Sequence, residues 1–576
     1  MTPYQWRMGR RLLVIFGSET GTAEDVAVSF ARSARRRLFE THVCAGEDVI
    51  LDELLEPLVV VFVCSTTGDG EMPENMRPLW RFFLRADLPA DLFSKMQFCV
   101  FGIGSRQYVK CVEIQLVLAF KLQRRLEQLG ACEIHVRGEA DEQDVEGVWG
   151  ALMRWSEPLW TILEEKYPLP VGYRVYADDV LLPASFSVLL NKPKTVEIEL
   201  EETREKVEVK GKIKAKVLEN VRITAKDHWQ DVRHVVLGVD RSVKYRSGDR
   251  VILYPRNPEK EVCTLLEYMG WAEIADIPLY IVSKERGKPG VPSNASLRYL
   301  FTNVFDFLSV PRQSFFEFLV YFTDNQEFAE KMRYFCVADG QEDLYSYVNW
   351  PRRTILEVIQ DFYPLNIPLD YIFDVFPVIR GRKFSITSSP MYKTVLREFR
   401  YGVCTRWVSV LSKEIDFSPG TLKKAESCMV PVVMVGPGTG VSPLRSLIQE
   451  RIFEGCKDNI LFFGCRFEHK DFLFKDEWME HCNNGNLVLF TAFSRDQNKK
   501  RYVQHIMEEH SKIVYDYLYN KRGILYLSGN SRFMPEAVKQ AFLNILIKEG
   551  NFTIEKSKAY LLEMEKGGRY MQETWS

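Results

Sequence analysis

The sequence predicts a multidomain α/β protein, and three observations carry that prediction. At 576 residues the chain is too long for one core, and a domain size of about 150 residues suggests three or four. Near the start, three apolar runs each lead into a polar, Gly-rich loop: Leu12–Phe16, Val59–Val63 and Phe98–Gly104. That is the pattern of an open, doubly wound parallel sheet. Toward the end, Val430–Val435 leads into Gly436-Pro-Gly-Thr-Gly440 and then a helix, a second strand–turn–helix unit of the same kind.

Composition narrows the function classes. Apolar residues make up 46% and charged residues 27%, an ordinary globular balance. Lys+Arg 76 against Asp+Glu 78 gives a net charge of -2, so there is no basic field to attract nucleic acid. The Cys 12 form no CxxC pair and no spacing suited to zinc, which predicts free thiols in a reducing compartment and no metal site. No apolar run reaches the roughly 18 residues of a membrane span. Leu12–Phe16 is too short for a signal peptide, and the first motif begins within twenty residues of Met1, so a cytoplasmic protein is expected.

The first strand runs into Ser18-Glu19-Thr20-Gly21-Thr22-Ala23, and a helical pattern follows from Glu24 to Leu38. Loop amides, hydroxyls and a helix N-terminus hold a phosphate dianion without any cation. The second strand leads to Ser65-Thr66-Thr67-Gly68, and the third to Ile103-Gly104-Ser105-Arg106-Gln107-Tyr108. Ligands of open parallel sheets sit beyond the carboxyl ends of the strands, so these loops form one site. The set resembles the flavodoxin family. That resemblance implies an FMN site with its phosphate on the first loop, Tyr108 stacked on the ring and Asp141 of the next loop nearby. The family's Asp-Ser-Ser before this Tyr is replaced by Ser105-Arg106-Gln107, which predicts weaker FMN binding than FAD binding.

From Tyr167 the pattern loosens, and 164–210 reads as a linker. Short β-like segments follow at Ala215–Leu218, His234–Val239 and Arg250–Leu253, with Tyr245-Arg-Ser-Gly248-Asp249 between them. From Glu259 to Leu369 apolar residues fall at three- and four-residue spacing, as in helices. Then come Arg382-Lys383-Phe384-Ser385 and Gly402-Val403-Cys404-Thr405. This order resembles a ferredoxin-reductase-type FAD β-barrel with a helical insertion, as in P450-reductase-like diflavin proteins. The resemblance places Arg382 on the FAD pyrophosphate, Phe384 on the flavin edge and Ser385 near flavin N5. Gly402–Thr405 would complete the pyrophosphate cradle, with Arg352 reaching FAD from the insertion.

Gly436–Gly440 lies between a strand and a helix, as a Rossmann-like dinucleotide site requires. The resemblance implies that Thr439 contacts the coenzyme. An NADP site needs cations and hydroxyls for the 2′-phosphate, where an NAD site needs a carboxylate. Ser494, Arg495, Lys500 and Tyr502 supply the first kind, and the resemblance adds Arg501, Val503 and Gln504 to the coenzyme site. The chain ends Glu573-Thr574-Trp575-Ser576. In this family a terminal aromatic stacks on the flavin and swings aside for nicotinamide, so Trp575 is the expected gate, with Ser385 and Glu573 positioning the hydride donor.

The chain is thus identified as a member of the NADPH-dependent diflavin oxidoreductases, of the cytosolic P450-reductase-like type. The implied domains are a flavodoxin-like FMN domain at 1–163, an FAD barrel at 211–424 with its helical insertion at about 259–369, and an NADPH domain at 425–576. The implied cofactors are FMN, FAD and NADPH. The implied acceptor is the iron–sulfur protein anamorsin, in cytosolic iron–sulfur cluster assembly. Two alternatives stand beside it: a reductase for P450 or methionine synthase, and a flavin-depleted scaffold that binds a partner.

Overall fold

The computed structural model describes residues 10–575 apart from 57–58, 67–71, 105–110, 142–146, 191–212, 240–242, 284–290, 293–294, 390–399, 402–412, 419–420, 170, 178, 426 and 532. The chain divides into two units: Met1–Val207 with Asn257–Val378, and Glu208–Arg256 with Ile379–Ser576.

The first unit begins with a parallel sheet of β1 (Arg11–Gly17), β2 (Glu40–Ala45), β3 (Val59–Ser65), β4 (Gln97–Gly104), β5 (Cys132–Glu133) and β6 (Gly138–Asp141). Its order is β2-β1-β3-β4-β5, with β6 pairing β4. Side chains alternate between faces along a strand, and here both faces are covered. Leu12, Val14, Val59, Val61 and Phe101 pack against α1 (Thr22–Arg36) and later against α4 (Gly147–Lys166). Leu13, Ile15, Val60, Phe62 and Phe98 pack against α2 (Arg77–Phe83) and α3 (Cys111–Gln128). Glu24 and Asp25 in its first turn and Arg35 and Arg36 in its last match the dipole of α1.

The same unit contains the helical segment, with α5 (Glu259–Tyr268), α6 (Leu297–Asn303), α7 (Gln313–Leu319), α8 (Gln326–Phe335) and α9 (Ile355–Asp361). Its core is rich in phenylalanine: Phe301 meets Phe305, Phe307 and Phe376 at centroid distances of 5.2, 5.9 and 5.0 Å. Within the stretch read as linker lies β7 (Phe186–Leu190), antiparallel to β11 (Leu279–Ser283). Its partner lies far along the chain, so no local pattern signals it.

The second unit has an antiparallel sheet of β8 (Ile213–Arg222), β9 (Arg233–Gly238), β10 (Arg250–Leu253), β12 (Arg382–Ser385), β13 (Arg400–Tyr401) and β14 (Lys413–Ser418), in the order β12-β10-β14-β8-β9-β13. The turn at Tyr245–Asp249 braces it. The Tyr245 hydroxyl donates to Ser388 O at 3.1 Å. Gly248 holds φ +91, and a Cβ there would lie 2.4 Å from Leu422 O, so only glycine fits.

A parallel sheet follows, of β15 (Val432–Pro437), β16 (Asn459–Cys465), β17 (Val488–Phe493), β18 (Ile524–Asn530) and β19 (Tyr570–Trp575), in the order β17-β16-β15-β18-β19. One face packs on α10 (Val441–Phe453) and α11 (Lys475–Asn483). The other packs on α12 (Val503–Glu509), α13 (Met534–Gly550) and α14 (Ile554–Lys566). The expectation of free thiols needs correction: Cys428 and Cys456 form a disulfide. Cys428 precedes β15 and Cys456 follows α10, so strand–helix packing joins residues whose separation of 28 carries no motif. Among the described residues, no helix is long and apolar enough to cross a membrane.

Candidate cofactor sites

The first candidate site lies at the carboxyl edge of the first sheet. β1 ends at Gly17, and α1 starts five residues later at Thr22. Gly21, at φ 100, is the N-cap and lends no side chain to the helix end. Ser18 is buried. Its hydroxyl accepts the Gly21 N–H at 2.9 Å, and its own N–H donates to Asn75 Oδ1 at 3.0 Å. Glu19 and Thr20 are exposed, Thr22 is half-buried and Ala23 buried. The Ser65 hydroxyl donates to Gly17 O at 3.1 Å, and the Thr66 N–H to Ile103 O at 3.0 Å. Pairing of β6 with β4 sets Asp141 beside Gly104.

The fold thus brings together Ser18–Ala23, Ser65, Thr66, Ile103, Gly104 and Asp141. Thr67, Gly68, Ser105 and Tyr108 lie outside the described residues. A helix N-terminus rimmed by hydroxyls fits a phosphate dianion. The sequence pattern missed a cation beside this loop. Arg312 donates to Gly21 O at 2.6 Å and to Thr20 O at 2.9 Å. Burial pushes the neighbouring Asp25 carboxyl up to about 6, against the pull of Arg312 and of the Ser314 hydroxyl.

Arg352, in the same unit, is exposed and holds a left-handed backbone at φ 55. For a non-glycine residue that costs on the order of 1–3 kcal/mol, a strain that clusters at ligand contacts.

In the second unit, Arg382 and Lys383 are exposed on the outer strand β12, and Phe384 and Ser385 are half-buried. The Ser385 hydroxyl donates to the Glu573 carboxylate. The other oxygen of Glu573 accepts from the Thr421 N–H at 3.4 Å. Burial raises the Glu573 carboxyl above its ordinary range, although Ser385 and the charge of Arg250 oppose this. In the β18–β19 register Ser528 pairs with Glu573 and Asn530 with Trp575. Side chains of a strand alternate, so Trp575 projects from the same face as Glu573.

Two features suit a bound dinucleotide. The loop after β15 crosses the end of β18 so closely that a Cβ on Gly440 would lie 2.2 Å from Ser528 O. Ser528 Oγ is buried with no hydrogen-bond partner among the described residues, and so is Thr387 Oγ1, two residues beyond Ser385. Thr439 sits half-buried in the same loop. Gly402, Val403, Cys404 and Thr405 lie outside the described residues.

The residues expected at the 2′-phosphate lie beyond β17. Ser494 is buried, and its N–H donates to Cys465 O at 2.9 Å; Arg495 is exposed, and its N–H donates to Arg466 O at 2.8 Å. Lys500 and Tyr502 are exposed, and Gln504 is half-buried. The Arg501 guanidinium is held by Glu509. Val503 is buried beneath Gly464, where a Cβ would meet it at 2.8 Å, so it serves the core.

Sequence reasoning also missed a buried clamp that joins the barrel to the nucleotide sheet. Arg445 of α10 donates to Glu477 Oε2 at 2.8 Å and to Thr387 O at 3.0 Å. Gln449 donates to Glu477 Oε1 at 2.7 Å and accepts from the Ser389 N–H at 3.0 Å. Burial alone would raise Glu477. His481, 3.7 Å away, and the Arg445 guanidinium outweigh it and hold the carboxyl at about 2. No local spacing marks these residues; a buried charge on α10 is visible only once the barrel covers it.

A flavodoxin-like sheet, an antiparallel flavin barrel and a coenzyme sheet in one chain define a flavin-dependent NAD(P)H oxidoreductase. Family models agree: flavodoxin matches residues 14–155, the FAD binding domain 206–396 and the oxidoreductase NAD-binding domain 434–539. A relative from Schizosaccharomyces pombe, "NADPH-dependent diflavin oxidoreductase 1", is 40% identical over 98% of this chain and 99% of its own. Proteins of the same name from Xenopus laevis and Danio rerio are 38% and 37% identical, over 98% and 99% of this chain and 100% of theirs. The chain belongs to the NADPH-dependent diflavin oxidoreductases, and its cofactors are FMN, FAD and NADPH.

Proposed function

We propose that electrons pass from NADPH to FAD, then to FMN, and on to a cytoplasmic protein acceptor, the iron–sulfur protein anamorsin, in iron–sulfur cluster assembly. The cofactors, when bound, supply the redox chemistry: a hydride enters from NADPH and single electrons leave. The chain's own residues bind, orient and exclude water. In this reading the domains run 1–163, 211–424 with the insertion at about 259–369, and 425–576, with 164–210 as linker.

The roles follow the sites. Ser18–Ala23 holds the FMN phosphate, with Ser65, Thr66, Thr67, Gly68, Ile103–Ser105, Tyr108 and Asp141 around the ring. Arg352, Arg382–Ser385 and Gly402–Thr405 hold FAD. Thr439 and the cluster Ser494–Gln504 hold NADPH. Ser385 and Glu573 set the hydride geometry, and Trp575 gates it. The Ser385–Glu573 hydrogen bond carries this reading, because it joins the proposed FAD strand to the proposed nicotinamide strand.

The acceptor is tested anaerobically with NADPH, the full-length protein, and oxidised anamorsin, P450 or methionine synthase in turn. Bleaching of the anamorsin cluster at catalytic protein concentrations is expected. Reduction of P450 or methionine synthase while the cluster stays oxidised overturns this acceptor. Absence of flavin bands in the purified protein overturns the electron route and favours the scaffold.

A further inference from the structure

We infer that Arg312, contributed by the helical segment, is a positioning residue for the FMN phosphate loop. The inference rests on the reading of Ser18–Ala23 as that loop. One face of α1 carries Asp25, Ser29, Arg32 and Arg36 at helical spacing, continuing the line of Gly21. Each meets α7 or the residues flanking it. Arg312 binds the Gly21 and Thr20 carbonyls, and the Ser314 hydroxyl donates to the Asp25 carboxylate. Arg32 pairs with Glu317 and lies 4.1 Å from the centroid of Phe318. Arg36 donates to the Tyr321 hydroxyl at 2.8 Å. The phosphate loop is therefore braced by a segment almost three hundred residues away in sequence.

The bracing has a direction. A trans peptide points its N–H opposite to its C=O. The Gly21 carbonyl accepts the first bond of α1, from the Asp25 N–H at 3.0 Å, and Arg312 holds it there, so the Thr22 N–H faces the opposite way, out of the N-terminal end of α1. That is the direction from which an anion approaches a helix N-terminus. The guanidinium also places a full positive charge next to a loop, Ser18–Ala23, that has no cation of its own. Arg312 thus acts through the loop backbone and through its charge.

The test compares FMN with riboflavin, which lacks the phosphate, by fluorescence titration of full-length protein that retains FAD. Arg312→Gln should weaken FMN by about ten- to a hundredfold, the range for a lost charge-assisted bond, and leave riboflavin unchanged. Arg312→Lys, which keeps the charge but not the two-pronged fork, should fall between. Tyr321→Phe, at the far end of the same face, should leave both ligands unchanged. An equal loss for both ligands in Arg312→Gln overturns the inference, since the residue would then only hold the domain together. Thr22→Val separates the two layers of the argument. If it weakens FMN selectively while Arg312→Gln has no effect, the loop reading stands and the role of Arg312 falls. If neither variant affects FMN, the loop reading falls and takes the role of Arg312 with it.

Discussion

The Ser385 hydroxyl donates its hydrogen bond to the Glu573 carboxylate across 188 residues of sequence. It joins the outer strand of the flavin sheet to the last strand of the coenzyme sheet. A half-buried serine and a buried glutamate held together at this point fix the orientation of one nucleotide-binding sheet against the other chemistry-bearing strand.

Removing that hydroxyl should therefore slow hydride entry more than coenzyme binding. A misplacement of about 1 Å can cost on the order of a hundredfold in rate. Ser385→Ala is expected to lower the rate of FAD bleaching by NADPH by about that factor in stopped flow, with a near-normal NADPH dissociation constant. Glu573→Gln keeps an acceptor for the hydroxyl and should lose less. A normal bleaching rate in Ser385→Ala would remove the serine from the hydride step.

Coenzyme choice should rest on Arg495. It is exposed beyond β17, whereas Arg501 is already paired with Glu509. Loss of a charge-assisted hydrogen bond costs roughly 1.5–3 kcal/mol. Arg495→Ala should raise the KM for NADPH by about one to two decades and leave that for NADH nearly unchanged. Equal losses for both coenzymes would place Arg495 away from the 2′-phosphate.

The Arg445–Glu477 clamp gives a pH signature. Glu477 has a folded-state pKa of about 2, below its ordinary 4.5. Its contribution is therefore fully present above about pH 4.5 and is lost as pH falls toward 2. The linkage amounts to roughly 3 kcal/mol at neutral pH. In urea unfolding of the FAD-bound protein, wild type should exceed Glu477→Gln at pH 7, and the gap should narrow below about pH 4.5. A gap that does not change with pH would mean that the ion pair is not its source.

The outer frame of the molecule was legible in the sequence because it is written locally. Val59–Val63 is a continuous apolar run, as a strand buried on both faces must be, and Gly436–Gly440 punctuates strand from helix. The strand–turn–helix unit around Ser18–Ala23 could be read because a glycine at Gly21, with φ 100, is a local requirement of the turn. Arg312, Glu477 and the Cys428–Cys456 bond were not legible. Each gains its meaning from a partner that tertiary packing supplies, and none departs from ordinary surface composition in its own segment. The strand β7 was missed for the same reason, since β11 alone makes it a strand.

Trp575 offers a test that leaves the core untouched. It is 38% exposed and closes the last strand, with its carbonyl accepting from the Ser531 N–H at 2.9 Å. Removing Trp575 and Ser576 should therefore cost little stability. If the indole covers the flavin, every nicotinamide must displace it, at a cost of about 0.5–1.5 kcal/mol of stacking beyond area burial. That cost is common to both coenzymes, so it cancels from the ratio of their affinities. It does not cancel from rates at a fixed concentration. At a concentration between the KM values for the two coenzymes, NADPH would saturate the site and gain little. NADH does not saturate and should react several-fold faster in the truncated protein. The measurement is cytochrome c reduction with each coenzyme at one concentration, with thermal unfolding as the control for the fold. An unchanged NADH rate in a truncated protein of normal stability would show that Trp575 does not gate the flavin.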